Sequence, residues 1–109
     1  MLNREDLIKK VKNYNKFLNP ETLSKAYTFA LKAHKDQKRD SGDPYLSHPV
    51  AVANILTELK LDSATIATGL LHDTLEDTKA TYKTVKKEFG REVADLVEGV
   101  TKISELEGK

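Results

Sequence analysis

Residues 62–77, DSATIATGLLHDTLED, hold the pattern on which the architecture turns. Asp62 stands where a side-chain oxygen accepts from the free N–H groups of a first helical turn. Behind it, Ala64, Ala67, Leu71 and Leu75 recur at helical spacing and make one apolar face. The spacing predicts one helix from about Ser63 to Asp77. On a wheel advancing about 100° per residue, Asp73, Glu76 and Asp77 fall roughly 100°, 40° and 140° from His72. Four ionisable side chains thus share one arc, opposite the apolar face. Gly69 lies in that arc one turn earlier, at a cost of about 1 kcal/mol relative to alanine. Its missing side chain leaves room for another element or for a ligand.

Helical periodicity continues on both sides of this stretch. Asn3 is placed to cap a first amphipathic segment carrying Leu7, Ile8, Val11 and Leu18. Asn19-Pro20-Glu21 opens a second, with Leu23, Ala26, Tyr27, Ala30, Leu31 and His34 on one stripe. Asp40-Ser41-Gly42-Asp43-Pro44 is rich in turn formers and predicts a loop. A third helix starts near Ser47-His48-Pro49 and aligns Val52, Ile55, Leu56 and Leu59. After the central stretch, Thr81 to Phe89 forms a short helix with Gly90 as its C-cap. Val93, Leu96, Val97 and Val100 make a last stripe. No useful segment alternates with period two. The expectation is an all-α bundle of about six helices in a single domain, residues 1–109.

Composition agrees and excludes several function classes. The chain has 109 residues, 39% hydrophobic and 32% charged, which is globular rather than disordered. A net charge of +1 argues against bulk electrostatic capture of a nucleic acid. With no cysteine there is no disulfide, no thiolate zinc site and no cysteine nucleophile. Apolar runs are far short of a membrane span, and residues 1–10 are too charged for a signal-peptide core. A cytoplasmic protein without membrane contact is expected.

The acidic end of the central helix has two explanations. Carboxylates in the last turns oppose the helix macrodipole, and like charges at i+3 and i+4 repel. A bound divalent cation relieves both costs; a solvated acidic helix end is the alternative. His48, beside rigid Pro49, favours the cation, because imidazole with carboxylate suits manganese, zinc or iron. His48, His72 and Asp73 then supply ligands from two adjacent helices. Lys35, Lys38 and Arg39 lead into the Ser41-Gly42 loop, a combination that suits phosphate oxygens or simply forms a solvated turn. Tyr45 either stacks on a base or covers the core. His34 sits on its helix's apolar stripe and reads as a buried, hydrogen-bonded structural histidine.

Ala33-His34, Gln37, Arg39, Ser41-Gly42-Asp43-Pro44-Tyr45, His48-Pro49, Gly69-Leu70-Leu71-His72-Asp73 and Glu76-Asp77-Thr78 occur in that order. Together with Phe89-Gly90 and Gly99-Val100-Thr101-Lys102, the set closely resembles the N-terminal hydrolase domain of the RelA/SpoT homologue family. The resemblance covers about residues 20 to 105. It implies an all-helical HD domain that binds Mn²⁺ and removes the 3′-pyrophosphate of guanosine tetra- and pentaphosphate (ppGpp and pppGpp), as in stringent-response alarmone degradation. By the same resemblance His48, His72 and Asp73 are metal ligands, and Glu76 and Asp77 position or activate the attacking water. Arg39 matches the arginine that packs against the guanine and Ser41 lies in the same nucleotide-binding loop; Lys38 and Tyr45, from the reading of the residues themselves, join them as expected substrate contacts. Asp36 stands where the family usually has glycine, and Asp40 adds a negative charge to the loop. The family's further metal-ligating Asp lies in a downstream helix beyond this chain, which implies a domain lacking its C-terminal half.

An alternative of another class is a degenerate module that binds a nucleotide or a partner without catalysis. On that view an apolar groove along Val93, Val97 and Val100 is left open, inviting self-association or docking of the missing C-terminal segment.

Overall fold

The computed structural model describes residues 2–38 and 41–106; for residues 76, 77 and 104–106 it describes the backbone alone. Seven helical segments follow in chain order: α1 Arg4–Lys12, α2 Pro20–Ala33, α3 Ser47–Glu58, α4 Ser63–Leu71, α5 Thr74–Asp77, α6 Tyr82–Phe89 and α7 Arg91–Leu106. No strand occurs among the described residues; one isolated bridge pairs Lys38 with Pro44. The expected all-α architecture holds.

Local chemistry sets the helix ends where the sequence places them. Asn3 Oδ1 accepts from Asp6 N at 2.8 Å and Asn19 Oδ1 from Glu21 N at 3.1 Å. Asp62 accepts from Thr65 N at 2.9 Å, and Thr81 from Thr84 N at 3.2 Å. Each cap satisfies an N–H that has no partner inside its helix, worth about 1 kcal/mol. Gly90 ends α6 at φ 89°, a conformation that disfavours a Cβ. Between α3 and α4 the chain turns through Lys60 at φ 57°. Lys60 N donates to Thr57 O and Leu61 N to Leu56 O, the paired bonds of a Schellman turn, here without glycine.

The core is built around α4, which packs on α2, α3 and α7. Ile66 to Leu71 are six consecutive buried residues, so this helix has almost no water-facing side. Leu23, Ala26 and Ala30 of α2, Val50 and Ala53 of α3, and Val93 and Val97 of α7 close around it.

Two expectations are corrected here. The single helix from Ser63 to Asp77 is divided: α4 ends at Leu71 and a one-turn α5 begins at Thr74. His72 and Asp73 form the joint, and Thr74 Oγ1, fully buried, donates to Leu71 O at 2.8 Å. A side-chain hydroxyl thus takes a carbonyl at the end of α4, as Ser and Thr hydroxyls do in competition with the backbone. Second, of the three expected groove residues Val93 and Val97 are buried against the core, 4% and 0% exposed, and Val100 alone is partly exposed. Among the described side chains of α7, the large apolar ones that are exposed are Leu96 and Ile103.

Candidate metal centre

Gly69 sits at the contact between α3 and α4, which share the site. A Cβ on Gly69 would lie 2.6 Å from Leu56 Cδ1 and 3.7 Å from the Cα of Ala53. Of the two uses expected for the missing side chain, the structure realises the approach of another element. With α3 drawn in, the start of α3 lies beside the end of α4, and His48 faces His72.

His48 is the second residue of α3, followed by buried Pro49. Leu46, 3% exposed, anchors the turn before it, where Ser47 Oγ and Ser47 N both donate to Pro44 O. His48 N donates to Tyr45 O at 3.1 Å. From this fixed backbone the imidazole reaches across to the joint between α4 and α5. His48 Nε2 lies 3.2 Å from His72 Nε2 and 3.4 Å from Asp73 Oδ2. His72 Nε2 lies 3.1 Å from the same carboxylate oxygen. Among the described residues this is the only group of three or more His, Asp or Glu side chains close enough to hold a metal ion.

The triangle has the size that a divalent ion requires. Ligand atoms about 2.0–2.2 Å from one ion stand roughly 3.0–3.5 Å apart in tetrahedral or octahedral arrangement, and all three edges lie within that span. The donor set of two imidazoles and one carboxylate is chemically suited to a borderline cation. His72 is also held as metal-ligating histidines usually are: its Nδ1–H donates to Gly69 O at 2.6 Å. That carbonyl belongs to the last turn of α4, where helical acceptors lack intrahelical partners. The bond leaves the Nε2 lone pair facing His48 and Asp73.

Exposure grades across the three side chains: 36% for His48, 15% for His72 and 2% for Asp73. A buried carboxylate is expensive unless paired. Asp73 meets that cost with two imidazole edges and with Tyr45, whose hydroxyl donates to Oδ2 at 3.3 Å. Tyr45 is half-buried, its ring stacked on His34 with centroids 4.6 Å apart. His34 is buried and hydrogen-bonded through Nδ1 to Gln37 Oε1 at 2.7 Å, as its place on the apolar stripe predicts. Its Nε2 is a buried nitrogen with no hydrogen-bond partner.

The structure therefore brings together His48, His72, Asp73 and Tyr45. Ser41 lies in the exposed turn after α2, its hydroxyl donating to Asp43 Oδ2 at 3.0 Å, and Lys38 is exposed at the isolated bridge. Arg39 lies outside the described residues, as do the side chains of Glu76 and Asp77; the backbone of α5 carries the last two one turn beyond Asp73. The contact missed by sequence reasoning is Tyr45 with Asp73, 28 residues apart. Nothing in periodicity or spacing signals it.

Comparison with known proteins adds the family context. Residues 26–109 match the model of the HD domain. The chain is 50% identical over 107 residues to the protein named GTP pyrophosphokinase rsh of Brucella melitensis, covering 98% of this chain and 14% of that protein. It is 50% identical over 105 residues to the guanosine-3′,5′-bis(diphosphate) 3′-pyrophosphohydrolase of Aquifex aeolicus, 96% of this chain and 15% of the relative. Over 84 residues it is 55% identical to the bifunctional (p)ppGpp synthase/hydrolase SpoT of Escherichia coli, 77% of this chain and 12% of the relative. The chain thus spans about one seventh of the length of the curated relatives it matches.

Proposed function

This chain belongs to the HD-domain family and resembles RelA/SpoT enzymes along nearly its whole length, and on that premise we propose that it carries the hydrolytic centre for guanosine polyphosphates. The reaction is Mn²⁺-dependent removal of the 3′-pyrophosphate from guanosine tetra- or pentaphosphate, yielding GDP or GTP and pyrophosphate. The relatives' names speak of both making and hydrolysing such nucleotides. The observation that favours hydrolysis is the triangle of His48, His72 and Asp73, with edges of 3.1, 3.2 and 3.4 Å.

His48, His72 and Asp73 would hold the ion, which supplies Lewis-acid chemistry for phosphoryl transfer to water. Asp73 brings a negative charge that burial keeps from being screened by solvent. His48, the most exposed of the three, marks the side from which substrate enters. Glu76 and Asp77, carried one turn on by α5, accept the proton of the attacking water. Arg39, Lys38 and Ser41, after α2, meet the nucleotide and its phosphates. In the net reaction a phosphorus–oxygen ester bond is replaced by a bond to the water oxygen.

The test is direct. Purified protein with Mn²⁺ and guanosine tetraphosphate releases pyrophosphate and GDP; chelation with EDTA or Asp73→Ala abolishes the release. Absence of turnover with every divalent metal tried would remove the claim of catalysis by this chain. For the non-catalytic alternative, Val93 and Val97 are core residues and leave only Val100 of the expected docking groove partly exposed.

A further inference from the structure

Tyr45 and Asp73 meet through a chain of contacts that starts on α2. The Nδ1–H of His34 donates to Gln37 Oε1 at 2.7 Å, which fixes the rotation of a fully buried ring. That ring offers its flat face to Tyr45 at 4.6 Å between centroids, with planes 26° apart. Tyr45 N donates to Gln37 O at 3.1 Å, so the same short segment holds both backbone and ring of the tyrosine. From this held ring the hydroxyl donates to Asp73 Oδ2 at 3.3 Å.

The oxygen it reaches is the one that both imidazoles face. A carboxylate oxygen carries two lone pairs. A hydroxyl on one of them leaves the other to point into the space between His48 and His72. A phenyl ring could stack on His34 equally well but could not do this. Burial of an imidazole whose Nε2 lacks a partner is unfavourable. A ring clamped by Gln37 to serve as the platform for Tyr45 accounts for keeping it.

We propose that Tyr45 is a positioning residue of the metal centre: clamped on His34, its hydroxyl orients the Asp73 carboxylate toward the ion shared with His48 and His72. The proposal rests on the metal reading above. It changes the role of Tyr45 from nucleotide contact to support of a ligand. Ligating carboxylates are commonly held by such hydrogen bonds, and their loss typically weakens metal affinity 10- to 100-fold.

Tyr45→Phe removes the hydroxyl and keeps the stacked ring. Mn²⁺ binding, followed by the loss of the free-ion EPR signal, is compared for the wild-type protein and the variant, alongside metal-free thermal melting. Expected are one tight site in the wild type, an affinity about 10- to 100-fold weaker in Tyr45→Phe, and a metal-free melting temperature lowered only slightly, as loss of one hydrogen bond requires. Equal affinities overturn the positioning role while leaving the metal reading intact. Tighter binding by the variant overturns it too, because the hydroxyl would then compete with the ion for Oδ2. A metal-free melting temperature lowered in step with affinity would make the contact a fold element instead. Failure of the wild type to bind any Mn²⁺ sinks both the metal reading and the inference.

Discussion

Two helical hairpins in this molecule each pair a tyrosine with an aspartate, and they do opposite things with the pair. In the α6–α7 hairpin Tyr82 donates to Asp95 Oδ1 at 2.5 Å, with Arg91 beside the same carboxylate at 3.5 Å. Asp95 is 53% exposed, and its hydrogen bond to Tyr82 holds the phenol above its ordinary value of 10.0. In the α3–α4 hairpin and its approach, Tyr45 donates to Asp73 at 3.3 Å, and that carboxylate is 2% exposed. Water solvates what is left of Asp95. The remaining charge of Asp73 is answered only by protein groups and by whatever cation they gather. Burial, rather than the residue pair, distinguishes the candidate site from the surface pair.

The sharpest way to break the comparison is to neutralise each aspartate in turn. Asp73→Asn loses Mn²⁺ binding by more than about 100-fold, the scale of removing a ligand rather than its support. Asp95→Asn leaves binding and melting temperature unchanged, because an exposed pair contributes little. Calorimetric titration with Mn²⁺ and thermal melting read both variants. Equal behaviour of the two would show that burial is not what distinguishes them.

The next test loads the helix contact beneath the buried pair. Gly69→Val puts a branched side chain where Leu56 Cδ1 stands 2.6 Å from the Cβ position. Overpacking of this kind costs about 1–3 kcal/mol. It also separates α3 from α4, so Mn²⁺ affinity falls together with the denaturant midpoint. The α6–α7 hairpin has no such constraint, as nothing lies within 4 Å of a Cβ on Gly99.

A smaller effect is expected at the other end of α4. Hydrogen bonds from Thr65 hold the Asp62 carboxyl below its ordinary value of 3.8. Its stabilising contribution is therefore complete above that pH and disappears as pH falls through the lower folded value. Asp62→Ala costs about 1 kcal/mol at neutral pH. The difference from wild type closes in acid, which melting curves between pH 7 and pH 2 would follow. The smallest change expected is a gain. Lys60 holds a left-handed conformation that glycine adopts freely, so Lys60→Gly raises stability by up to about 1 kcal/mol. At the end of α6 a glycine, Gly90, already holds the positive φ (89°).

Much of the fold was legible in the chain. Asn3, Asn19, Asp62 and Thr81 cap helices where local chemistry places them, because a cap answers to residues within four positions. The convergence of His48, His72 and Asp73 was legible too, since a histidine at one helix start and a His-Asp pair at the end of the next are neighbours in an antiparallel hairpin. The break at His72–Asp73 was not. A helical wheel assumes an unbroken backbone, and here the Thr74 hydroxyl and the His72 imidazole each take a carbonyl at the end of α4. The fate of Val93 and Val97 was misread for a related reason: a stripe shows that a face is apolar, not which element covers it. Here α4 does.

The sequence alone determined the all-α architecture, the capped helix starts and the residue types able to bind a cation, because these depend on short-range spacing and intrinsic chemistry. Tertiary packing decided which carboxylate is buried, which oxygen faces both imidazoles, and that Tyr45 reaches Asp73 from the platform of His34. Those outcomes depend on how α2, α3 and α4 approach one another, and no local rule encodes a distance between residues 28 positions apart.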